Sequence, residues 1–168
     1  MKSTRTVMFV VLPILVVAAC SKKDAPVPEP QTAAAEAVPA ARAPVTACAM
    51  VTGAEMSAIL GAKVTAEPHE GTSDQTECIY KSVSGISPYV DFTVARGDGE
   101  AAMTAAGFMG QKHPGMTDPY EGLGDQAFAI GPALMIRTGE DLVKIIFSGV
   151  SNAPTAAKKI FDTAKPRM

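Results

Sequence analysis

Between Ser21 and Val45 the chain reads SKKDAPVPEPQTAAAEAVPAARAPV, and this stretch limits what can fold. Five prolines and eight alanines dominate it, with three acids balancing three bases. Proline fixes φ and removes a backbone donor, so the segment favours extended, polyproline-like conformations over helix or sheet. At about 3.1 Å per residue, 25 such residues reach on the order of 75 Å. A packed core is therefore expected only in the following 123 residues, 46–168, which are enough to bury one without a metal. With no Trp, five Phe and three Tyr in that stretch, the core has to be built mainly from Val, Ile, Leu, Met and Ala.

Ahead of the Pro/Ala segment, Lys2 and Arg5 precede the apolar run VMFVVLPILVVAA, Val7 to Ala19. Thirteen residues interrupted by Pro13 fall short of the roughly 20 that span a bilayer. A positive start, a short apolar stretch and small residues before a break describe a secretory signal peptide over 1–19. The four residues VAAC, Val17 to Cys20, resemble the bacterial lipobox. That resemblance implies cleavage before Cys20, a diacylglycerol on its thiol and an acylated new amine. The competing reading is an ordinary exported protein with a chance cysteine at position 20. Lipidation fits better, because SKKD to PVPEP has nothing to pack and stable anchoring takes two or more acyl chains. Segment 20–45 is then a lipidated tether. Ser21, where inner-membrane lipoproteins of enteric type carry Asp, resembles the outer-membrane class. The expected location is the cell envelope, facing the periplasm, with the membrane as partner through the lipid on Cys20.

Setting Cys20 aside leaves Cys48 and Cys78. In an oxidising compartment an even remainder suggests a disulfide. A metal pair lacks a nearby His or third Cys, and a redox pair is normally spaced Cys-x-x-Cys.

Local signals over 46–168 are clear at several points. In VTGAEMSAILG, Thr52 and Glu55 form a capping box, Val51 and Met56 a hydrophobic staple, and Gly61 a stop. Strand patterns follow at 63–66, at ECIYKSV (77–83) and at YVDFTVAR (89–96), with EPHEGTSDQ read as a polar loop between the first two. Asp98 is placed to cap a second helix with Ala102, Ala105, Ala106 and Met109 on its apolar face. After the irregular stretch GQKHPGMTDPYEGLGDQ come AFAI, ALMIR and LVKIIFS. A last helix starts near Asn152, with Pro154 in its first turn and Ile160, Phe161 and Ala164 inward. The expected class is α+β: an antiparallel sheet of about five to six strands with helices on one face, in the order α-β-β-β-α-β-β-β-α.

Three segments together resemble a widespread class of small bacterial lipoprotein domains: Cys48 to Gly61 with its Glu-x-x-x-x-Leu-Gly helix, Glu77 to Tyr80 with Cys-x-Tyr, and Gly122 to Phe128 with GLGD-x-A-F. The resemblance spans most of 48–150. It implies the fold and the disulfide, and it supplies no catalytic residues.

Chemistry has few footholds. His69 and His113 are the only histidines. His113 shares the 110–126 loop with Asp118, Tyr120, Glu121 and Asp125, a candidate binding loop, since long irregular loops are often functional. One His among scattered carboxylates on a Gly/Pro-rich loop is more often a solvated surface, and neither a metal nor a cofactor is expected. The serines lack a Gly-x-Ser-x-Gly or Ser-x-x-Lys context. Arg96-Gly97-Asp98 reads as strand break and helix cap. GLGD precedes a strand, so it reads as a turn whose glycines supply positive φ, not as a phosphate loop. Met103, Met109, Met116 and Met135 suit either an adaptable groove or core filling. From Thr46 on, 14 acids against 10 bases, a net of −4 with His neutral, disfavour nucleic acid. Two functions remain: a non-enzymatic binding or structural module with an envelope-protein or small-ligand partner, and an envelope enzyme or enzyme inhibitor working through the 110–126 loop.

Overall fold

A computed structural model describes residues 46–69, 71–72 and 74–168. The expected signal peptide over 1–19, the expected lipidation site Cys20 and the Pro/Ala segment read as a tether lie outside the described residues. Two short helices open the domain, α1 (Ala47–Met50) and α2 (Gly53–Leu60), followed by β1 (Val64–His69), β2 (Gln75–Ser82) and β3 (Tyr89–Ala95). Next come α3 (Gly99–Lys112), β4 (Asp118–Pro119), β5 (Gln126–Ile130), β6 (Ala133–Thr138) and β7 (Asp141–Ser148). Helix α4 (Ala153–Ala164) and a 3-10 turn over Lys165–Arg167 close it.

The seven strands form one sheet in the order β1-β2-β3-β7-β6-β5-β4, antiparallel throughout. The α+β class holds, while the strand count exceeds the expected five to six and the element order gains two members. Helix α1, at four residues, is too short to show a period. Strand β4 is two residues, one of them a proline without an N–H, paired at the sheet edge with Phe128 and Ala129. Strand β1 also runs on to His69, so the polar loop is shorter than expected.

Register sorts the two faces. Cys78, Phe92, Ile145 and Leu134 stand opposite one another across four strands, and Val94, Val143, Ile136 and Ala127 do the same one step along. Both rows belong to one buried cluster with Met50, Val51 and Met56 of the α1–α2 segment and Ala157, Ile160, Phe161 and Ala164 of α4. Placing α1, α2 and α4 on that face uses the apolar periodicity that the chain displays.

Helix α3 lies on the opposite face, which corrects the expectation of helices on one face only. A Cβ on its first residue, Gly99, would meet the Arg137 side chain, and Arg137 is out of phase with the core residue Ile136. Its buried residues Met103 and Ala106 stand apart from the main cluster. Thr93 and Ala95, out of phase with Phe92 and Val94, are also buried and need a cover on that side. The inward pair is Met103 and Ala106; Ala105 and Met109, expected inward, are exposed. Apolar residues all round this helix left its phase open. Asp98 occupies the N-cap position but makes no side-chain cap bond there. The turn is set instead by Gly99 N–H donating to the Glu140 carbonyl at 2.9 Å and Gly97 N–H donating to Asp141 at 3.3 Å.

Three long-range ties close the helical layer. Cys48 of α1 is disulfide-bonded to Cys78 of β2, with Cα atoms 5.0 Å apart. The buried Tyr80 hydroxyl donates to the Val51 carbonyl between α1 and α2. Arg167 donates to the Met50 carbonyl at 2.8 Å and to both carboxylate oxygens of Glu55. The expected capping box is present: Glu55 N–H reaches the Thr52 hydroxyl at 3.3 Å and Thr52 N–H reaches the Glu55 carboxylate at 2.8 Å.

Candidate functional site

The stretch 110–126, expected to be irregular, opens as the last residues of α3 (to Lys112) and from His113 on carries the chain from the α3 face round the sheet edge to the core face. It starts where His113, exposed, ends α3 with its N–H on the Met109 carbonyl at 2.8 Å. Thr117 is buried and its hydroxyl donates to the Ala106 carbonyl at 3.3 Å, which folds the loop back along α3. A Cβ on Gly110 would collide with that hydroxyl, so glycine permits the close approach. Asp118 and Pro119 then pair with β5, and Tyr120 N–H donates to the Ala127 carbonyl at 2.9 Å.

GLGD finishes the crossing. Leu123 is 3 % exposed and belongs to the main core, flanked by Gly122 at φ +81 and Gly124 at φ +58. A Cβ on Gly124 would run into the Arg137 carbonyl and Ile136. Asp125 N–H donates to that carbonyl at 2.8 Å, and its carboxylate accepts from Gly139 N–H at 2.6 Å, bracing the β6–β7 turn. The segment is a plug and a brace, built on the positive φ that its glycines supply.

Four of the loop candidates point to no shared pocket. His113, Asp118 and Glu121 are exposed, and Asp125 is engaged at the turn. Among the described residues no group of three or more His, Cys, Asp or Glu is placed to hold a metal ion.

Tyr120 goes elsewhere. Its half-buried side chain packs against the core and lines an apolar cleft of about 290 Å³. The β5–β6 turn supplies Gly131 and Pro132, the end of β7 supplies Phe147, and the start of α4 supplies Ala153, Pro154 and Ala157. Of all the lining side chains, only that of Tyr120 carries a polar atom. The cleft exists because β7 outruns β6: Phe147 lies past the last register pair and bonds the Pro132 carbonyl through its N–H at 3.1 Å. Its ring faces inward, opposite Val90 of β3 on one side and with no β6 strand residue on the other. Alternation in LVKIIFS already places Phe147 on the inward face; the vacancy beside it depends on where a different strand ends. On the other side of Gly149 and Val150 a second depression of about 210 Å³ lies between Ile59 and Leu60 of α2 and Asn152, Thr155 and Lys159.

A cleft of this kind can bury an apolar group, with Tyr120 the one lining side chain that carries a hydroxyl. Its lining carries no carboxylate, imidazole, amine or thiol for acid–base or nucleophilic work. Compared with protein-family models, with curated proteins and with solved structures, the chain matches none.

Proposed function

We propose that this chain is a lipid-anchored cell-envelope protein whose domain is a non-enzymatic binding module, with the cleft beside Tyr120 as its ligand site. The observation that carries the binding reading is the cleft lining, whose side chains are all apolar except that of Tyr120. It selects an apolar group, from a small molecule or a protein side chain, that offers one polar atom to a phenol. Exposure of His113, Asp118 and Glu121, none of which lines the cleft, supports the same reading over an enzymatic one. Anchoring rests on the VAAC signal, the unpackable Pro/Ala segment and the resemblance to small lipoprotein domains. In a cell that has an outer membrane, Ser21 favours that membrane, with the domain facing the periplasm.

Two measurements test the two halves separately. Mass spectrometry of the N-terminal peptide from a membrane fraction should find Cys20 as the first residue, carrying acyl chains. An unmodified Cys20 thiol there defeats the anchor. For the cleft, the full chain is titrated with the apolar fluorophore N-phenyl-1-naphthylamine. Saturable binding is expected, weakened at least tenfold by Val150→Asp with the melting temperature little changed. Absence of saturable binding, or identical binding by the variant, defeats the cleft.

A further inference from the structure

The two ends of the sheet carry opposite chemistry. Val64 pairs with Ser82, Tyr89 with Ser148 and Ala133 with Ile146. One end therefore gathers the β2–β3 turn, the link from α2 into β1, the β5–β6 turn and the link from β7 into α4. None of these connections contains Asp or Glu, in a domain whose acids outnumber its bases by 14 to 10. Asp74, Asp98, Asp125, Glu140 and Asp141 all lie at the other end.

The acid-free end also projects apolar side chains. Ile86 in the β2–β3 turn is 95 % exposed, the most of any large apolar residue described, and Val83 is 51 % exposed. Only Ser84 and Gly85 stand between them. Val83 N–H donates to the Lys63 carbonyl at 3.1 Å, which brings Lys63 to the root of the turn. Lys63 is exposed and takes part in no ion pair among the described residues.

We propose that this end dips into a lipid surface, with Ile86 and Val83 among the acyl chains and Lys63 at the level of the headgroups. Burial of an aliphatic side chain in lipid removes it from water as a core would. Charge polarity selects a bilayer over other occupants, because carboxylates are repelled by anionic headgroups and a lysine is attracted. Acids kept from one end and collected at the other orient the domain on such a surface. The chain ahead of Thr46 permits the approach. Ala47 N–H donates to the Thr76 hydroxyl at 2.9 Å, so the chain enters near the acidic end. From Thr76 to Val83 is about 23 Å at ~3.3 Å per residue. A Pro/Ala segment reaching on the order of 75 Å can run alongside the domain while the turn touches the membrane that holds the N-terminus. Two side chains bind weakly alone, and attachment of the same chain raises their local concentration. The turn also sits against Gly149, where a Cβ would collide with the Ser87 side chain, and Gly149 lines both hollows. Wedge and cleft thus share one end, but the wedge depends neither on a ligand in the cleft nor on acylation of Cys20.

The chain contains no Trp, so a single introduced one reports alone. Full chain from a membrane fraction is reconstituted into vesicles of phosphatidylcholine and phosphatidylglycerol with brominated acyl chains, which quench Trp on contact. The readout is the same whether acyl chains or an uncleaved signal peptide hold the N-terminus. Ser84→Trp should lose at least half of the emission it has in unbrominated vesicles, while Thr104→Trp, on the exposed side of α3, keeps its own. Adding Ile86→Asp to Ser84→Trp should restore the emission with the melting temperature unchanged, since so exposed a side chain packs against little. No quenching at 84, equal quenching at 84 and 104, or quenching indifferent to Ile86→Asp overturns the proposal. So does a chain that is absent from the membrane fraction and fails to float with these vesicles. Emission from Ser84→Trp that shifts to the blue with protein concentration and not with lipid would make the turn a protein contact, and the lipid reading wrong.

Discussion

Arg167 clamps Glu55 with two parallel bonds, Nη1 to Oε2 at 2.8 Å and Nη2 to Oε1 at 2.6 Å, across 112 residues of sequence. Glu55 also serves the α2 capping box, so one carboxylate joins the start of the domain to its last turn. The Arg167 hydrogen bonds, followed by those from Thr52, lower the Glu55 pKa from 4.5 to about 2. A depressed folded-state pKa stabilises the fold above the ordinary value and loses that contribution as pH falls from about 4.5 toward about 2. Arg167→Ala should therefore melt below the wild type at pH 7, with the gap narrowing as the pH approaches 2. The effect should be small, because the two side chains are 40 % and 33 % exposed and water screens them. Thermal melts of both proteins across that window check it, and a gap of constant size would contradict the assignment.

Tyr80 is fully buried and its hydroxyl donates to the buried Val51 carbonyl. Tyr80→Phe keeps the ring and strands that carbonyl, at a cost of about 1–3 kcal/mol. Urea denaturation should show a lower midpoint with an unchanged slope. Burial, and next the Glu55 charge, raise the Tyr80 pKa well above the ordinary phenol value. Alkaline titration of native protein should then show one tyrosine whose ultraviolet ionisation signal appears only on unfolding.

The Cys48–Cys78 bridge spans a sequence separation of 30 residues. In the chain-entropy account, closing such a loop contributes about 3–4 kcal/mol. Replacing both cysteines by alanine should lower unfolding stability by that amount, read from denaturant midpoints under oxidising conditions. Wild-type protein unfolded with a reductant present should move to the same midpoint.

Leu123 tests the plug. Leu123→Ala leaves a void at a 3 % exposed core position, at a cost of about 2–5 kcal/mol. Gly124→Ala should be at least as damaging, because its Cβ meets the Arg137 carbonyl and a positive φ strains alanine. Denaturant midpoints rank the two, and wild-type stability for Gly124→Ala would show that the loop does not cross the edge as described.

Legibility followed locality. The Thr52–Glu55 box, the Val51 and Met56 staple and the inward Ile160, Phe161 and Ala164 of α4 were readable because each signal fits within one or two helical turns. Counting cysteines outside the tether was enough to reach the Cys48–Cys78 pair. Placement of α3 was not readable, because Ala101, Met103, Ala106, Phe108 and Met109 distribute apolar surface all round it and leave the phase to tertiary contacts. Strand β4 escaped because two residues have no alternation. Within the candidate loop, nothing local separates Tyr120, which turns to the cleft, from Glu121, which turns to solvent. That difference is set by β5 through the Tyr120 N–H bond to Ala127. The cleft itself is assembled from strand ends and turns far apart in the chain, and only the fold brings them together.

The bridge has a mechanical consequence. A pull on the chain ahead of Thr46 meets Cys48 two residues later and passes through a covalent bond into β2, which is hydrogen-bonded on both sides. Load entering there bypasses the four-residue helix α1, which would otherwise peel first, and spreads across β1 and β3. The Arg167 clamp fastens the next segment, α2, to the far end of the chain. A load applied ahead of Thr46 would thus reach the sheet directly, and reduction of one bond would place it on a short helix instead.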